Sequence, residues 1–359
     1  MADMGGKPRL PWVSWLIAAA VACIPLVITD RFLIKVLTFV GLNVLVAIGL
    51  ALLFGYTGQV SMGHAAFVGI GAYTCAFLTV RIGTPWIVGF AAAGVIAAAG
   101  GLLLALPSLR LKGHYLAMAT LGFGEIMSLI FVEAESVTGG VDGFARIPPP
   151  SVAGFEFKEP ATLYWLVWAV AGVALLLAYN ITRFRPGRAM LSLHGGEIGA
   201  VASGVDVVGT KIKAFVISAA LAGLSGALYS GVVGFVSPSV FVLSSSVMYL
   251  AMAVIGGAGS LAGPVAATAL FTLLEYLNAL IPSMPAPIAE NLGLYQTDIY
   301  GIAIILVVIF APRGLTGLWQ RRRSASSAKG GSLAERRQGS STQADTPARP
   351  EGLEEGEGT

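Results

Sequence analysis

The chain has 359 residues, of which 56% are hydrophobic and only 11% are charged, and its formal net charge is +3. A soluble globular domain carries about 25% charged residues, so this composition excludes an ordinary soluble protein and predicts that most of the chain faces lipid. The two cysteines, Cys23 and Cys75, both lie in apolar runs, which excludes a disulfide framework and a zinc site.

Apolar runs that are long enough to cross a bilayer, roughly 17 to 25 residues, recur along the chain. Eight are predicted as transmembrane helices: Trp12–Ile28, Val36–Phe54, Met62–Val80, Trp86–Leu106, Tyr115–Val132, Ala161–Tyr179, Ala214–Val236 and Pro264–Ile281. Two runs are shorter: Val247–Ile255, interpreted as a broken or partial helix, and Tyr300–Ala311. The sequence therefore predicts an all-α polytopic membrane protein with about ten transmembrane segments, or nine if Val247–Ile255 does not cross.

Lysine and arginine residues are distributed unequally between the two sets of loops that this arrangement creates. With a cytoplasmic start, most of them fall in inner loops or in the C-terminal tail. The outer loops hold only Arg31, Lys35, Arg81, Arg146 and Lys158. Because cytoplasmic loops of membrane proteins carry the excess of Lys and Arg, both the N-terminus and the C-terminus are predicted to be cytoplasmic.

Three regions follow from the spans and their orientation. Residues 1–11 form a cytoplasmic N-terminus, and residues 12–311 form a transmembrane domain with a cytoplasmic loop at about 183–213. Residues 312–359 form a cytoplasmic tail, which from Gln320 onward is rich in Ser, Gly, Arg and Glu. A segment of this composition cannot bury a core, so the tail is predicted to be largely disordered.

Several kinds of chemistry have no motif in this sequence. There is no G-x-x-x-x-G-K-[ST] phosphate loop and no H-E-x-x-H metal motif. The three histidines, His64, His114 and His194, are widely scattered, and nothing suggests nucleic-acid binding beyond a few arginines in the tail. We therefore expect no catalytic residue, no cofactor and no metal, and the sequence favours a transporter or channel over an enzyme.

Glycine interrupts two apolar segments in opposite halves of the chain. The segments are "GYTGQVSMGHAAFVGIGAYT" from Gly55 and "GGAGSLAGPVAAT" from Gly256, and their glycines align with one gap. Paired interruptions of this kind indicate a pathway built from repeats, because broken backbone at membrane depth must face protein or a water-filled cavity. The candidate residues for a translocation path or gate are Gly55, Gly58, Gln59, Ser61, Gly63, His64, Gly256, Gly257 and Gly259.

The same segments also admit a structural interpretation. Small residues let transmembrane helices approach closely, and this role is favoured for Gly69 and Gly71. A lone buried histidine such as His64 is more often a residue whose hydrogen bonds are satisfied than a functional group.

Two acidic residues, Glu125 and Glu275, lie inside apolar spans, where an ionisable group is costly and usually faces a cavity or a partner. Glu125 is a further candidate for the translocation path, with the alternative that it caps backbone near Thr138-Gly139-Gly140. Glu275 is expected to make a structural hydrogen bond to a neighbouring helix.

The segment Ser192–Phe215 is too polar to cross a membrane. Its apolar residues Ile198, Ala202 and Val205 recur at helical spacing, which indicates a short cytoplasmic helix of a size suited to docking. Glu197 falls in the first turn of this helix. Two interpretations of it stay open: a part in docking, or a solvated acid that the helix dipole favours.

Six blocks of sequence, in order, carry a resemblance to a known family. They are "GYTGQVSMGHAAFVGIGAY", "LRLKGHYLAMATLGFGEI", "TGGVDGF", "GRAMLSLHGGEIGAVASGVDVVGTKIKAFVISAALAGLSGALYS", "VIGGAGSLAGPV" and "PRGLTGL". From about Val36 to Trp319 the chain resembles the branched-chain amino-acid ABC transporter permease family, and specifically its longer permease subunit.

This resemblance implies a permease subunit in a bacterial inner membrane that imports branched-chain or related amino acids by alternating access. The implied partners are a second permease subunit, two ATP-binding cassette ATPase subunits and a periplasmic or lipid-anchored solute-binding protein. The cytoplasmic helix would couple ATP hydrolysis to transport through Glu197, Ile198, Ala202, Gly204 and Val205.

The sequence around the cytoplasmic helix departs from the family pattern. The family commonly has more charged residues before this helix and paired alanines after the Glu-Ile, whereas this chain has Gly195, Gly196 and Gly199. Each glycine weakens an isolated helix by about 1 kcal/mol, so this helix is expected to be ordered mainly when it is docked. Two other functions stay open: an ABC permease for another small polar solute, such as urea, an amide or a sugar, and a proton-coupled secondary transporter that uses Glu125 and His64.

Overall fold

The computed structural model describes residues 30–276 except 110, 112, 153 and 258, together with the single residues Pro25 and Ile302. Several predicted parts of the chain lie outside the described residues, apart from Pro25 and Ile302. They are the N-terminal segment, the spans Trp12–Ile28 and Tyr300–Ala311, the end of the span Pro264–Ile281 and the tail.

The described residues form a bundle of α-helices. The α-helices are α1 (Arg31–Leu50), α2 (His64–Ala76), α3 (Trp86–Ser108), α4 (His114–Glu133), α5 (Glu135–Thr138), α6 (Pro160–Arg183), α7 (Arg185–Gly195), α8 (Glu197–Ala202), α9 (Val207–Val233), α10 (Leu243–Gly256) and α11 (Ala262–Glu275). Helices α1 and α2 are prolonged by π-helical turns, Ala51–Tyr56 and Phe77–Arg81, and two 3₁₀ turns lie at Gly140–Asp142 and Pro238–Val240.

Six of these helical segments are long and apolar enough to cross a membrane. They are Arg31–Tyr56, Trp86–Ser108, His114–Glu133, Pro160–Arg183, Val207–Val233 and Pro238–Gly256. The chain is therefore a mostly helical, multi-pass type of protein, and the total of about ten spans stays a prediction. Helix α11 is apolar but shorter, and α2, with 13 residues before its π-helical turn, is not among the six.

Several helix boundaries differ from those predicted from the sequence, and two of them are close to the candidate site. Val247–Ile255, interpreted as a broken or partial helix, belongs to the longer helix α10 and to the candidate span Pro238–Gly256. Helix α9 begins at Val207, well before the predicted Ala214, because the Asp206 carboxylate accepts a hydrogen bond from the Gly209 N–H at 3.0 Å and so caps its first turn.

Four two-residue strands add to the expected all-α architecture. β1 (Phe144–Ala145) pairs with β4 (Phe235–Val236), and β2 (Ser151–Val152) pairs with β3 (Phe155–Glu156), both antiparallel. The first pair joins the loop after α5 to the segment that follows α9, so both lie at the same end of the bundle.

The core lies around α1 and α9. In the most apolar window of the span Arg31–Tyr56, 83% of the residues are buried, whereas the corresponding share for α4 is 17%. Helix α9 packs against α1, α2 and α3. Most of the α4 surface is therefore left uncovered by the described residues of this chain.

Candidate functional site

The predicted docking segment Ser192–Phe215 is not one short helix, because it comprises the end of α7, all of α8 and the first turns of α9. We call α7 and α8 the docking segment, and α8 presents an apolar pair outward. Ala200 is fully buried, while Ile198 and Val201 are 88% and 63% exposed. The predicted apolar stripe was Ile198, Ala202 and Val205, and it is wrong at Val205, which does not belong to the helix. Helix α8 ends at Ala202, Gly204 has a φ of +75°, and the half-buried Val205 turns back so that its N–H donates to the Ala200 carbonyl at 3.0 Å.

The acid at the start of α8 is tied to the next helix rather than solvated. Lys211 Nζ lies 2.5 Å from Glu197 Oε1, and the two side chains are 9% and 28% exposed. Lys211 falls within the cytoplasmic loop that the sequence predicts at about 183–213. Because α9 starts at Val207, Lys211 instead lies within the first turns of that helix, where it is buried and paired.

The first glycine-broken segment is a tight reversal between α1 and α2. Gly55 lies in the π-helical turn, and the N–H groups of Gly58 and Gln59 donate to the carbonyls of Phe54 and Leu53. Gly58 has a φ of +71°, a conformation that glycine adopts without steric cost. The Gln59 side chain is buried and donates to the Thr57 hydroxyl at 2.8 Å.

His64, the first residue of α2, is fully buried and bonded through both ring nitrogens. Nδ1 lies 2.8 Å from the Ser61 hydroxyl and Nε2 lies 2.7 Å from the Ser218 hydroxyl of α9. This geometry agrees with the structural interpretation of a satisfied histidine, and it also joins the reversal to α9. The preceding residue, Gly63, lies against the Thr120 carbonyl of α4, where a Cβ atom would come within 2.2 Å of the oxygen.

The second glycine-broken segment lies directly beside the first. Helix α10 ends at Gly256, and Gly257 and Gly259 have φ values of +95° and +77°. The Gly259 N–H donates to the Gly55 carbonyl at 3.1 Å, and the Tyr56 hydroxyl donates to the Gly259 carbonyl at 3.3 Å.

The two reversals also match in conformation. Gly58 and Gly259, which the sequence alignment pairs, have nearly equal positive φ values. At the opposite end of α1, Phe32 contacts Tyr276 after α11, with ring centroids 6.4 Å apart. Helix α11 therefore runs antiparallel to α1, and α1 and α10, the helices that precede the two reversals, run in the same direction.

A cavity of about 560 Å³ lies between the docking segment and the first reversal. Its lining comes from the reversal, from the start of α4 and from the docking segment: Phe54, Thr57, Gly58, Gln59, Leu111, Gly113, Leu116, Leu193, His194, Gly196, Glu197, Ile198 and Lys211. The docking segment also touches the reversal directly, because a Cβ atom on Gly58 would lie 3.3 Å from His194 Nδ1. The structure thus brings the two predicted sites together.

The remaining candidates lie elsewhere. Glu125 is exposed on α4. The turn that it was suggested to cap takes its hydrogen bonds locally, since the Gly139 N–H donates to the Glu135 carbonyl and the Gly140 N–H to the Thr138 hydroxyl. Glu275 is half-buried at the last residue of α11.

Comparison with known proteins decides the family. The family described as "Branched-chain amino acid transport system / permease component" matches residues 32–311. The chain belongs to this family.

Individual relatives agree with this assignment. The chain is 31% identical over 309 residues to the "High-affinity branched-chain amino acid transport system permease protein LivM" of Escherichia coli strain K12, covering 80% of this chain and 70% of the relative. It is 24% identical to the "Probable branched-chain amino acid transport permease protein LivM" of Methanocaldococcus jannaschii (78% and 92% covered). It is 26% identical to the corresponding E. coli protein LivH (76% and 90% covered). No solved structure gives a significant match.

Sequence reasoning missed three residues of the candidate site. His194 and Lys211 line the cavity, and Ser218 bonds His64. Lys211 could have been found from the Asp206 N-cap signal, because this signal predicts that α9 begins at Val207 and so includes the lysine. Nothing in the sequence distinguishes Ser218 from the other hydroxyl residues of α9, because its partner lies in a distant part of the chain.

Proposed function

We propose that this chain is the membrane permease subunit of an ATP-driven ABC importer, which moves branched-chain or related amino acids into the cytoplasm across a bacterial inner membrane by alternating access. The printed names of the relatives support the substrate class. The observation that carries the mechanism is that the docking segment and the first glycine-broken reversal share one cavity and touch at His194 and Gly58. A displacement of the docking segment would therefore act directly on the reversal.

The docking segment is the proposed seat for an ATPase subunit. Ile198 and Val201 form an apolar pair that the described part of this chain leaves uncovered, and burying each such side chain contributes about 1.5 to 3 kcal/mol. The pair of the half-buried Glu197 and the buried Lys211 holds α8 against α9. The two reversals, joined by the Gly259–Gly55 hydrogen bond, are the proposed gate at this end of the path.

A second permease subunit is the proposed cover for α4. One face of this helix carries exposed or half-exposed residues at spacings of three and four: Tyr115, Met118, Gly122, Glu125 and Leu129. Lipid could cover the apolar members, but an ionisable group at this depth usually faces protein or a water-filled cavity. Glu125 therefore supports a path that runs between two subunits, with solute delivered by an extracytoplasmic binding protein.

The docking role is tested by making the exposed apolar pair acidic. The double variant Ile198→Asp, Val201→Asp is expected to lose the ATPase subunits during co-purification and to lose leucine uptake in vesicles, while the permease itself is still expressed and folded. Val141→Asp is the matched control, because Val141 is 73% exposed in the loop at the other end of the bundle. ATPases that stay bound with uptake intact would contradict the coupling role.

Two further uptake measurements distinguish the proposed function from its alternatives. Uptake that needs ATP hydrolysis supports an ABC importer, whereas uptake driven by an imposed proton gradient without the ATPases would overturn the proposal in favour of a secondary transporter. Competition of labelled leucine by unlabelled isoleucine and valine, but not by urea, an amide or a sugar, supports the substrate class.

A further inference from the structure

One face of α9 carries three polar residues at a regular spacing. Lys211, Ser218 and Ser225 are each seven residues apart, which is almost two complete helical turns, so they lie in line and about 10 Å apart along the helix axis. All three are buried. Polar side chains inside a membrane bundle need partners, and each of the three finds one on a different element.

The three partners lie in the docking segment, the first reversal and α1. Lys211 Nζ pairs with Glu197 of α8 at 2.5 Å. The Ser218 hydroxyl lies 2.7 Å from His64 Nε2 at the start of α2. The Ser225 hydroxyl donates to the Leu42 carbonyl of α1 at 2.8 Å. A single helix face therefore connects the proposed ATPase seat to the first reversal.

Beyond His64, α9 and α2 are packed backbone against backbone. A Cβ atom on Gly71 would come within 2.0 Å of the Gly223 carbonyl oxygen, and one on Gly226 within 1.9 Å of the Val68 carbonyl oxygen. Interfaces of small residues this close leave no slack for one helix to move without the other. Helix α2 therefore follows α9, and its first residue, His64, is bonded to Ser61 within the reversal.

The covalent connection between α8 and α9 is a short turn that contains the exposed Gly204 at a φ of +75°. Glycine gives such a turn unusual backbone freedom, so the turn does not by itself fix α8 relative to α9. The Glu197–Lys211 ion pair adds a contact between the side chains of the two helices.

We propose that Lys211 and Ser218 are positioning residues that make α9 the lever of this permease: movement of α8 is carried through Glu197–Lys211 to α9, and through Ser218–His64 to the first glycine-broken reversal. This inference rests on the proposed function, because it requires α8 to be moved by an ATPase. The inference goes beyond the proposed function by naming the residues through which the movement is transmitted. The exposed pair Ile198 and Val201 attaches the ATPase, whereas Lys211 and Ser218 act after attachment.

The experiment uses the complete transporter with its ATPases and binding protein, reconstituted in proteoliposomes. The readout is the number of leucine molecules transported per ATP hydrolysed, because a merely structural role would lower both quantities together. Lys211→Met and Ser218→Ala are each expected to lower this ratio about fivefold or more, the lower end of typical coupling between sites. The charge exchange Glu197→Lys with Lys211→Glu is expected to recover much of the loss caused by Lys211→Met.

Matched controls come from the same helix. Lys213→Met removes an exposed lysine two residues from Lys211. Thr210→Val removes a buried hydroxyl that donates to the Asp206 carbonyl at the start of the same helix. Both controls are expected to keep the wild-type ratio.

The possible outcomes distinguish a failure of this inference from a failure of the proposed function on which it rests. An unchanged ratio in Ser218→Ala and Lys211→Met overturns the lever, while the ABC function stands if Ile198→Asp, Val201→Asp still releases the ATPases. A wild-type chain that never binds ATPases overturns the function itself. If Lys211→Met fails to assemble, Ser218→Ala decides the question, because it removes one hydroxyl and leaves the ion pair intact.

Discussion

The backbone N–H of Gly259 donates a hydrogen bond of 3.1 Å to the carbonyl oxygen of Gly55. The two glycines belong to reversals in opposite halves of the chain, and the Tyr56 hydroxyl adds a second bond between them. Gly55 is buried, so its backbone carbonyl needs such a partner, and the second reversal supplies it. A change in one reversal is therefore transmitted to the other, which is the property a two-part gate requires.

Replacement of Gly58 tests whether the first reversal takes part in transport. Gly58→Ala introduces a side chain at a positive φ and brings it to 3.3 Å from His194 Nδ1. The backbone strain costs about 1 to 2 kcal/mol, and the close contact requires His194 or the reversal to shift slightly. We expect lower leucine uptake at equal expression.

Gly83→Ala is the control for this substitution. Gly83 has a similar φ of +75°, but a Cβ atom there meets nothing within 4 Å. We expect a similar loss of thermal stability in both variants and normal uptake in Gly83→Ala alone. Equal uptake in the two variants would show that the reversal has no special role.

Close packing between the reversal and α4 is tested at Gly63. Gly63→Ala would bring a Cβ atom to 2.2 Å from the Thr120 carbonyl oxygen, so one of the two segments must shift. Overpacking of this kind costs about 1 to 3 kcal/mol, and the melting temperature of the purified permease should fall. Gly122→Ala, in the same helix as Thr120 and with nothing within 4 Å of its added Cβ atom, should not lower the melting temperature and should raise it slightly, because alanine favours the helix more than glycine does. Equal melting temperatures would contradict the packing.

The exposed carboxylate of α4 gives a prediction that separates transport from assembly. Because Glu125 is exposed and the Thr138-Gly140 turn is bonded locally, Glu125→Gln should leave the stability of the subunit unchanged. We expect it to lower leucine transport while the second permease subunit still co-purifies. Glu133→Gln, an exposed acid at the end of the same helix, serves as the control. Loss of the partner at equal expression would instead assign Glu125 to assembly.

The predicted orientation can be tested by cysteine labelling from each side of the membrane. The background variant replaces Cys23 and Cys75 with alanine. Gly199→Cys, at an exposed position of α8, should react only from the cytoplasm, and Phe155→Cys, 57% exposed in the loop before α6, only from outside. Ala200 is unsuitable although it is adjacent, because it is fully buried. Reversed labelling would contradict the predicted topology.

The sequence was sufficient to predict the family and most helices, because length and hydropathy are local properties that the bilayer constrains strongly. The spans predicted at Trp86–Leu106 and Tyr115–Val132 differ from α3 and α4 by at most two residues at any end. The aligned glycines Gly58 and Gly259 also have the same conformation in the structure. This agreement follows from a local cause, since a backbone reversal at positive φ favours glycine.

The parts that were missed depend on contacts between distant segments. Val205 shares a helical period with Ile198, but a turn at Gly204 ends the helix first, so Val201 is the exposed neighbour. A lysine beside a span ordinarily indicates topology, and only the tertiary structure shows that Lys211 is buried against Glu197. The roles of the site residues and the number of spans stay predictions.

The seven-residue spacing on α9 restricts how the chain can vary in length. Inserting one residue between Lys211 and Ser225 would rotate everything beyond it by about 100° and advance it by about 1.5 Å, so the downstream hydroxyls would leave His64 and Leu42. The hairpin of β2 and β3 makes no such demand, because its strands pair with each other. Insertions and deletions should therefore be tolerated around residues 151–156 and eliminated between 211 and 225, a difference that deletion scanning of the two segments would measure.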